Sequence, residues 1–173
     1  MSDVFRNGAF VEDPWVRIDD ESPIPDEGFV LVPLARWLAE RDSLIARNHP
    51  LGIVVSVGEK VEDVAGDLDR FQVVAVDFPA YTDGRGYSTA RLVRDRYGYT
   101  GELRAVGNVL ADQVPLMARC GFDTFTVTKP AARAVLEDGG VPDVPVYYQP
   151  TTRAESPVTT IRPWLRRSPP GLV

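Results

Sequence analysis

The residues best suited to binding or chemistry lie in the loop Asp77 to Ser88, between an apolar run and a helical pattern. Its glycines allow a close backbone approach, and Ser88 is a suitable N-cap for the helix that follows. Free amides in the first turn of a helix, together with arginine side chains, attract a small oxyanion, a phosphate or a partner's carboxylate. The same residues also fit a simple turn and helix cap. The predicted anion-binding residues are Arg85, Gly86, Ser88, Arg91, Arg104 and Asn108.

Three carboxylates in these loops offer a second kind of chemistry. Asp77 ends one predicted strand, Asp83 lies in the loop after it, and Asp112 follows the next strand. Paired carboxylates can act as general acid and base, and oxygen ligands of this type also suit magnesium. Asp77, Asp83 and Asp112 are therefore the predicted catalytic residues. Helix capping is the alternative reading for Asn108 and Asp112, and no residue is assigned as a metal ligand.

The chain's only cysteine and only histidine restrict redox and nucleophilic chemistry. One thiol cannot form an intrachain disulfide or supply the four thiolates that an iron–sulfur cluster normally takes. Cys120 falls at the predicted end of a helix, where a thiolate is disfavoured, so a structural role is expected. His49 precedes a strand, so it is expected at the amino end of that strand, opposite the expected site.

The Gly84-x-Gly86 pair does not match the dinucleotide fingerprint, because the third position of the motif is Thr89 and the pair lies well after the strand. The cofactor is left unknown.

Alternating strand and helix patterns predict the elements that position these residues. Single helices between strands imply parallel pairing, so the fold class is α/β with a mostly parallel sheet of about five or six strands. That is too few for a complete eight-stranded barrel, which leaves an open doubly wound sheet or a half-barrel completed by a homodimer. In both, functional groups lie beyond the carboxyl ends of the strands. The strands are predicted at 29–32, 51–57, 73–76, 103–106, 122–127 and 144–148. The helices are predicted from 34 to near 48, and at 61–68, 89–97, 111–119 and 131–136.

Composition divides the chain into three parts. Residues 1–28 predict a short N-terminal hairpin or flap with turns at Asn7-Gly8 and Asp26-Glu27-Gly28; residues 29–150 form the α/β domain. Residues 151–173 are rich in proline, with four arginines and one glutamate, and are expected to be largely disordered.

The net charge of the chain is −6, and because the tail is basic, the rest of the chain is more acidic still. That balance argues against nucleic acid and anionic membranes as partners. No signal peptide or membrane-spanning run is evident, so a cytoplasmic location is expected.

Several motifs resemble a bacterial family of unknown function, number 934 among such families. The resemblance extends over about residues 5–150 and is densest from Asp77 to Asp123. It is carried by Asp77-Phe78-Pro79-x-Tyr81-Thr82-Asp83-Gly84-Arg85-Gly86-Tyr87-Ser88-x-Ala90-Arg91, by Gly101-Glu102-Leu103-Arg104-Ala105-Val106-Gly107-Asn108-Val109-Leu110-x-Asp112-Gln113, and by Arg119-Cys120-Gly121-Phe122-Asp123.

The resemblance implies an oxidoreductase or accessory protein of assimilatory sulfite reduction, with sulfite reductase components as partners. It supplies no catalytic residues. One cysteine and one histidine cannot hold a sirohaem–iron–sulfur centre, so an accessory role that binds a small sulfur oxyanion or a reductase component is expected. Two alternatives remain: a half-barrel enzyme that uses the three carboxylates for acid–base or magnesium chemistry, and an interaction module that docks through its basic tail.

Overall fold

The computed structural model describes residues 2–140, 146–147 and 166–167. Its main sheet has eight strands in the order β2-β1-β8-β7-β6-β5-β4-β3. Strands β3 to β8 are parallel, whereas β1 runs antiparallel to both of its neighbours, β2 and β8. The strands are β1 (Ser2–Arg6), β2 (Ala9–Asp13), β3 (Trp15–Arg17), β4 (Phe29–Pro33), β5 (Leu51–Val55), β6 (Val73–Phe78), β7 (Glu102–Gly107) and β8 (Thr124–Phe125).

Helical segments connect the parallel strands. One crossover, between β5 and β6, is the 3₁₀ helix Val61–Arg70. Residues Val61, Val64 and Asp67 in it are buried at a spacing of three, which matches three residues per turn. The remaining helices are α1 (Leu34–Ile45), α2 (Arg85–Arg91) with its π-helical continuation Leu92–Arg96, α3 (Val114–Arg119) after a 3₁₀ turn Ala111–Gln113, and α4 (Pro130–Glu137).

The two edge strands of the sheet are consecutive in the chain. Strand β2 ends at Asp13 and β3 begins at Trp15, so only Pro14 separates them. Consecutive Cα atoms are about 3.8 Å apart, and the two edges must therefore approach each other within this segment. The sheet curls into a nearly closed barrel whose last gap is spanned by Ala9 to Arg17. This curling brings together two sheet edges that would otherwise lie far apart.

Side-chain alternation divides the core into two parts. Residues that point outward from the barrel, such as Ile53, Val74 and Leu103, pack with the helices in the larger cluster. Residues that point inward form a separate apolar cluster within the barrel. The inward cluster consists of Trp15, Leu31, Val54, Val73, Ala75 and Val106.

The structure confirms the α/β class and the parallel strands but corrects the strand count and the closure. Eight strands replace the predicted five or so, because β1, β2 and β3 of the predicted flap join the main sheet. Neither the open sheet nor the half-barrel is observed, since the N-terminal segment reaches both edges. The last predicted strand, 144–148, is present as β9 (Val146–Tyr147), which pairs with β10 (Arg166–Arg167) outside the main sheet. The rest of the predicted disordered tail lies outside the described residues.

The interior of the barrel leaves no room for a methyl group at Gly52. A Cβ there would lie 2.5 Å from Cδ2 of Leu31 and 2.9 Å from the carbonyl oxygen of Val73. We expect Gly52→Ala to lower the free energy of unfolding by about 1–3 kcal/mol through overpacking. Urea denaturation would measure the loss. Gly66→Ala is the matched control, because a Cβ at Gly66 meets no atom within 4 Å; equal losses in the two variants would contradict the packing argument.

Candidate functional site

A cavity of about 750 Å³ opens at the carboxyl ends of the parallel strands. This end of an α/β barrel is where loops from several strands converge, and it is the usual location of binding and catalytic groups. Most of the exposed wall area is apolar, although half of the lining residues carry polar or charged side chains. The lining residues are Asp13, Trp15, Val16, Arg17, Leu31, Phe78, Pro79, Arg104, Val106, Gly107, Asn108, Thr126, Thr128 and Lys129. We call this cavity the barrel mouth.

Cationic side chains line the barrel mouth in an otherwise acidic protein. Arg17, at the end of β3, donates a hydrogen bond from Nη2 to Oδ2 of Asp77 at 3.1 Å. The Arg17 side chain is nevertheless 47% exposed, so part of the guanidinium is available to a ligand. Lys129, after β8, is exposed, and no ion pair of Lys129 is found within the described part of the chain. Arg104, the third cation of the lining, is paired with two carboxylates, so the positive charge available to an anionic ligand comes from Arg17 and Lys129.

Asn108 supplies the polar group whose hydrogen bonding is incomplete. Its side-chain Oδ1 is buried and has no hydrogen-bond partner in the described structure. The backbone fixes its position: Gly107 adopts a φ of 91°, and the Asn108 amide donates to the carbonyl oxygen of Phe78 at 2.6 Å. A buried acceptor without a donor is unfavourable unless a ligand or water satisfies it. The wall of the barrel mouth therefore contains a buried hydrogen-bond acceptor that has no donor among the described residues.

An ionic cluster lies at the floor of the barrel mouth. Arg104 is only 2% exposed and lies 2.7 Å from Oδ2 of Asp13 and 2.8 Å from Oε1 of Glu102. Thr124 donates to the same Glu102 oxygen at 2.7 Å, and Arg6 pairs with the other. This cluster connects β7 with the segment that closes the barrel. The charge of Arg104 is offset by two carboxylates, so it stabilises the closed sheet and offers little unbalanced charge to a ligand.

The loop after β6 has a different geometry from the one predicted for anion binding. Helix α2 begins at Arg85, so Ser88 is not its N-cap and lies within the helix. Its amide belongs to the helix interior and cannot face an anion. The Arg85 side chain contacts Asp83 instead, with Nη2 and Oδ2 at 2.6 Å. The hydrogen bond from Arg85 lowers the pKa of Asp83 to about 2, which makes this carboxyl a poor proton donor near neutral pH.

The other predicted residues are spread over the molecule. Gly86 packs on the Phe78 ring, and a Cβ there would lie 2.5 Å from that ring, so close packing accounts for this glycine. Arg91 pairs with Asp95 on the exposed side of the helix at 3.4 Å. Asp112 is exposed in the 3₁₀ turn before α3. Within the described residues, no three His, Cys, Asp or Glu side chains are grouped in a way that could hold a metal ion.

Cys120 and His49 lie away from the barrel mouth. Cys120 follows the last residue of α3, and burial raises the pKa of its thiol, which disfavours the nucleophilic thiolate. His49 lies between α1 and β5, at the amino end of the sheet. Neither position brings the side chain to the carboxyl ends of the strands.

The structure thus brings Asp77, Arg104 and Asn108 to the barrel mouth and leaves Asp83, Arg85, Ser88, Arg91 and Asp112 outside its lining. Sequence reasoning missed Asp13, Arg17 and Lys129. For Lys129, the signal was present, since it follows the predicted strand 122–127. For Asp13 and Arg17 it was absent, because only barrel closure carries the N-terminal segment to the site.

Comparison with known proteins gives one family. A family model described as bacterial protein of unknown function (DUF934) matches residues 52–159. The match begins in β5, so the strands that close the barrel precede it. No curated protein matches the chain significantly. Among the described helices, none combines the length and the apolar character needed to cross a bilayer.

Proposed function

From the premise that this chain belongs to the DUF934 family of bacterial proteins, we propose that it binds a small anionic ligand in the barrel mouth and acts as an accessory protein of assimilatory sulfite reduction. One observation carries the binding part: at the rim of the cavity at the carboxyl ends of the strands, the Arg17 side chain is 47% exposed beside Asp77, and no ion pair of Lys129 is found among the described residues. The sulfite-reduction part derives from the sequence resemblance described above.

An accessory role suits this chain better than a redox centre of its own. The chain has one cysteine and one histidine, and the described residues contain no side-chain group suited to a metal. A sirohaem and an iron–sulfur cluster would therefore be held by another chain. Binding at the barrel mouth needs no such centre, because Arg17 and Lys129 can hold a sulfur oxyanion through charge-assisted hydrogen bonds.

The binding proposal predicts that sulfite stabilises the protein and that Arg17 is required for the effect. With a dissociation constant of about 0.1–1 mM, 10 mM sulfite would add about 1.4–2.7 kcal/mol to stability and raise the melting temperature by several degrees. Arg17→Ala is expected to weaken binding at least about tenfold, since it removes a charged donor. Thermal denaturation with sulfite, sulfate, phosphate and chloride at equal ionic strength measures both effects.

Arg96→Ala provides the matched control, because Arg96 is exposed and contacts the Tyr97 ring on another face of the protein. It should keep the full shift. Arg85→Ala separates this proposal from the loop site predicted from sequence: a loss of the shift in Arg85→Ala and not in Arg17→Ala would move the site to the loop. No shift with any of the three oxyanions would overturn the binding proposal.

The accessory role has its own test. The full chain, fixed to a support, should retain sulfite reductase from its source organism, and a chain lacking residues 151–173 would show whether the basic tail is the contact. If the chain without residues 151–173 still retains sulfite reductase, the contact lies in the rest of the chain. No retention by the full chain, with or without sulfite, would remove the accessory role.

A further inference from the structure

The walls of the barrel mouth are mainly apolar, which a bare oxyanion does not require. The apolar side chains of Trp15, Val16, Leu31 and Val106 line it. The volume of about 750 Å³ lies within the range of cavities that bind organic molecules, and a tetrahedral oxyanion would fill only a small part of it. Apolar walls gain free energy only when an apolar surface covers them.

We propose that the ligand is an organic anion, in which an apolar body carries an anionic group at one end and an N–H or O–H hydrogen-bond donor. This inference rests on the proposed function and specifies the ligand class of the same site. The apolar body contacts the walls around Trp15 and Val106, the anionic group contacts Arg17 and Lys129, and the donor meets Oδ1 of Asn108.

The position of the anionic group follows from how the cations are already paired. Arg104 holds Asp13 at 2.7 Å and Glu102 at 2.8 Å, so the floor of the cavity has no excess positive charge. Arg17 has a single carboxylate contact, 3.1 Å from Asp77, and its side chain is 47% exposed. The rim therefore attracts an anion more strongly than the floor does.

The requirement for a donor follows from Asn108. Its buried Oδ1 accepts no hydrogen bond from the described residues. The short bond from its amide to Phe78 and the left-handed turn at Gly107 hold its backbone in place beside the cavity. Sulfite and sulfate dianions offer acceptors alone and leave Oδ1 unsatisfied, whereas a hydroxyl or amine on an organic anion satisfies it.

Titration calorimetry on the full chain can test each part of this inference. The probes are sodium sulfite, benzenesulfonate, and the 2-, 3- and 4-hydroxy isomers of benzenesulfonate. We expect benzenesulfonate to bind at least about tenfold more tightly than sulfite, because the ring covers apolar wall. The best hydroxy isomer should bind about 3- to 10-fold more tightly than benzenesulfonate, which corresponds to one net hydrogen bond.

Asn108→Leu should remove the advantage of the hydroxyl group, so that the hydroxy isomers bind this variant no more tightly than benzenesulfonate does. Asn48→Leu is the matched control, since Asn48 is exposed in the loop after α1 at the opposite end of the sheet, and it should keep the advantage. Circular dichroism checks that both variants are folded. A hydroxyl advantage that persists in Asn108→Leu would overturn the assignment of Asn108.

Two further outcomes separate this inference from the proposed function. If sulfite binds in an Arg17-dependent manner and no aromatic sulfonate binds more tightly, the organic ligand class is wrong and the anion site stands. If none of the probes binds, both the organic ligand class and the anion site are wrong.

Discussion

Replacing Arg104 with methionine is expected to lower the free energy of unfolding by about 3–5 kcal/mol. Arg104 is 2% exposed and pairs with Asp13 and Glu102, which are themselves mostly buried. Methionine fills similar space but leaves both carboxylates without this cation. Arg6 still reaches Glu102, whereas Asp13 loses a contact of 2.7 Å at the end of β2. Removing the cation from a buried ion pair is among the costliest results of a single substitution.

Urea denaturation would measure this loss, and Arg91→Met is the matched control. Arg91 also pairs with an aspartate, Asp95, but both side chains are more than 40% exposed. Solvent screens that pair, so its removal should change stability by no more than about 0.5 kcal/mol. Similar losses in the two variants would show that burial does not govern the strength of the Arg104 pair.

A second variant separates the ion pair from side-chain packing. Arg104→Met combined with Asp13→Leu removes both charges of the 2.7 Å contact, and the double variant should lose less stability than the sum of the two single variants. Because Asp13 precedes the junction that closes the barrel, amide hydrogen exchange in Ala9 to Arg17 should accelerate in Arg104→Met and recover in part in the double variant. Strict additivity would contradict a direct coupling between Arg104 and Asp13.

Trp37→Ala is expected to cost about 3–5 kcal/mol, because it leaves a large cavity in the outer core. Trp37 is fully buried on α1 and packs edge-on against Phe71, with ring centroids 4.7 Å apart. Its Nε1 also donates to Oδ2 of Asp67 at 3.4 Å, and Arg41 binds the same carboxylate. The substitution therefore removes packing and one hydrogen bond where α1 meets the 3₁₀ helix.

Leu38→Ala is the control for this second prediction. Leu38 follows Trp37 on the same helix but is 47% exposed, so its truncation should change the free energy of unfolding by no more than about 0.5 kcal/mol. Denaturant titration of both variants gives the comparison. A loss below about 1 kcal/mol in Trp37→Ala would mean that α1 is not packed as the structure shows.

The helices and strands after residue 28 were largely predictable from local patterns. Helix α1 begins where predicted, at Leu34, and ends before the predicted stop near Asn48. Its buried residues Leu34, Trp37 and Leu44 repeat at helical spacing and form one face. The continuously apolar run at 73–76 correctly predicted a strand buried on both faces. The start of α2 was misplaced by several residues, since Ser88 satisfies the cap preference of the sequence but lies inside the helix that packing selects.

The sequence by itself determined the α/β class, the order of the parallel strands along the chain, and the end of the sheet at which functional groups collect. Those properties depend on residues near one another in the chain, through hydrophobic periodicity and turn chemistry. Only the tertiary structure decided that the sheet closes, because closure pairs β3 with β4 and β1 with β8, residues far apart in sequence. Closure in turn brings Asp13 to Arg104 and Arg17 to Asp77, in the same cavity as Asn108. Such contacts across the interior of a barrel cannot be predicted from the sequence pattern around any one of these residues.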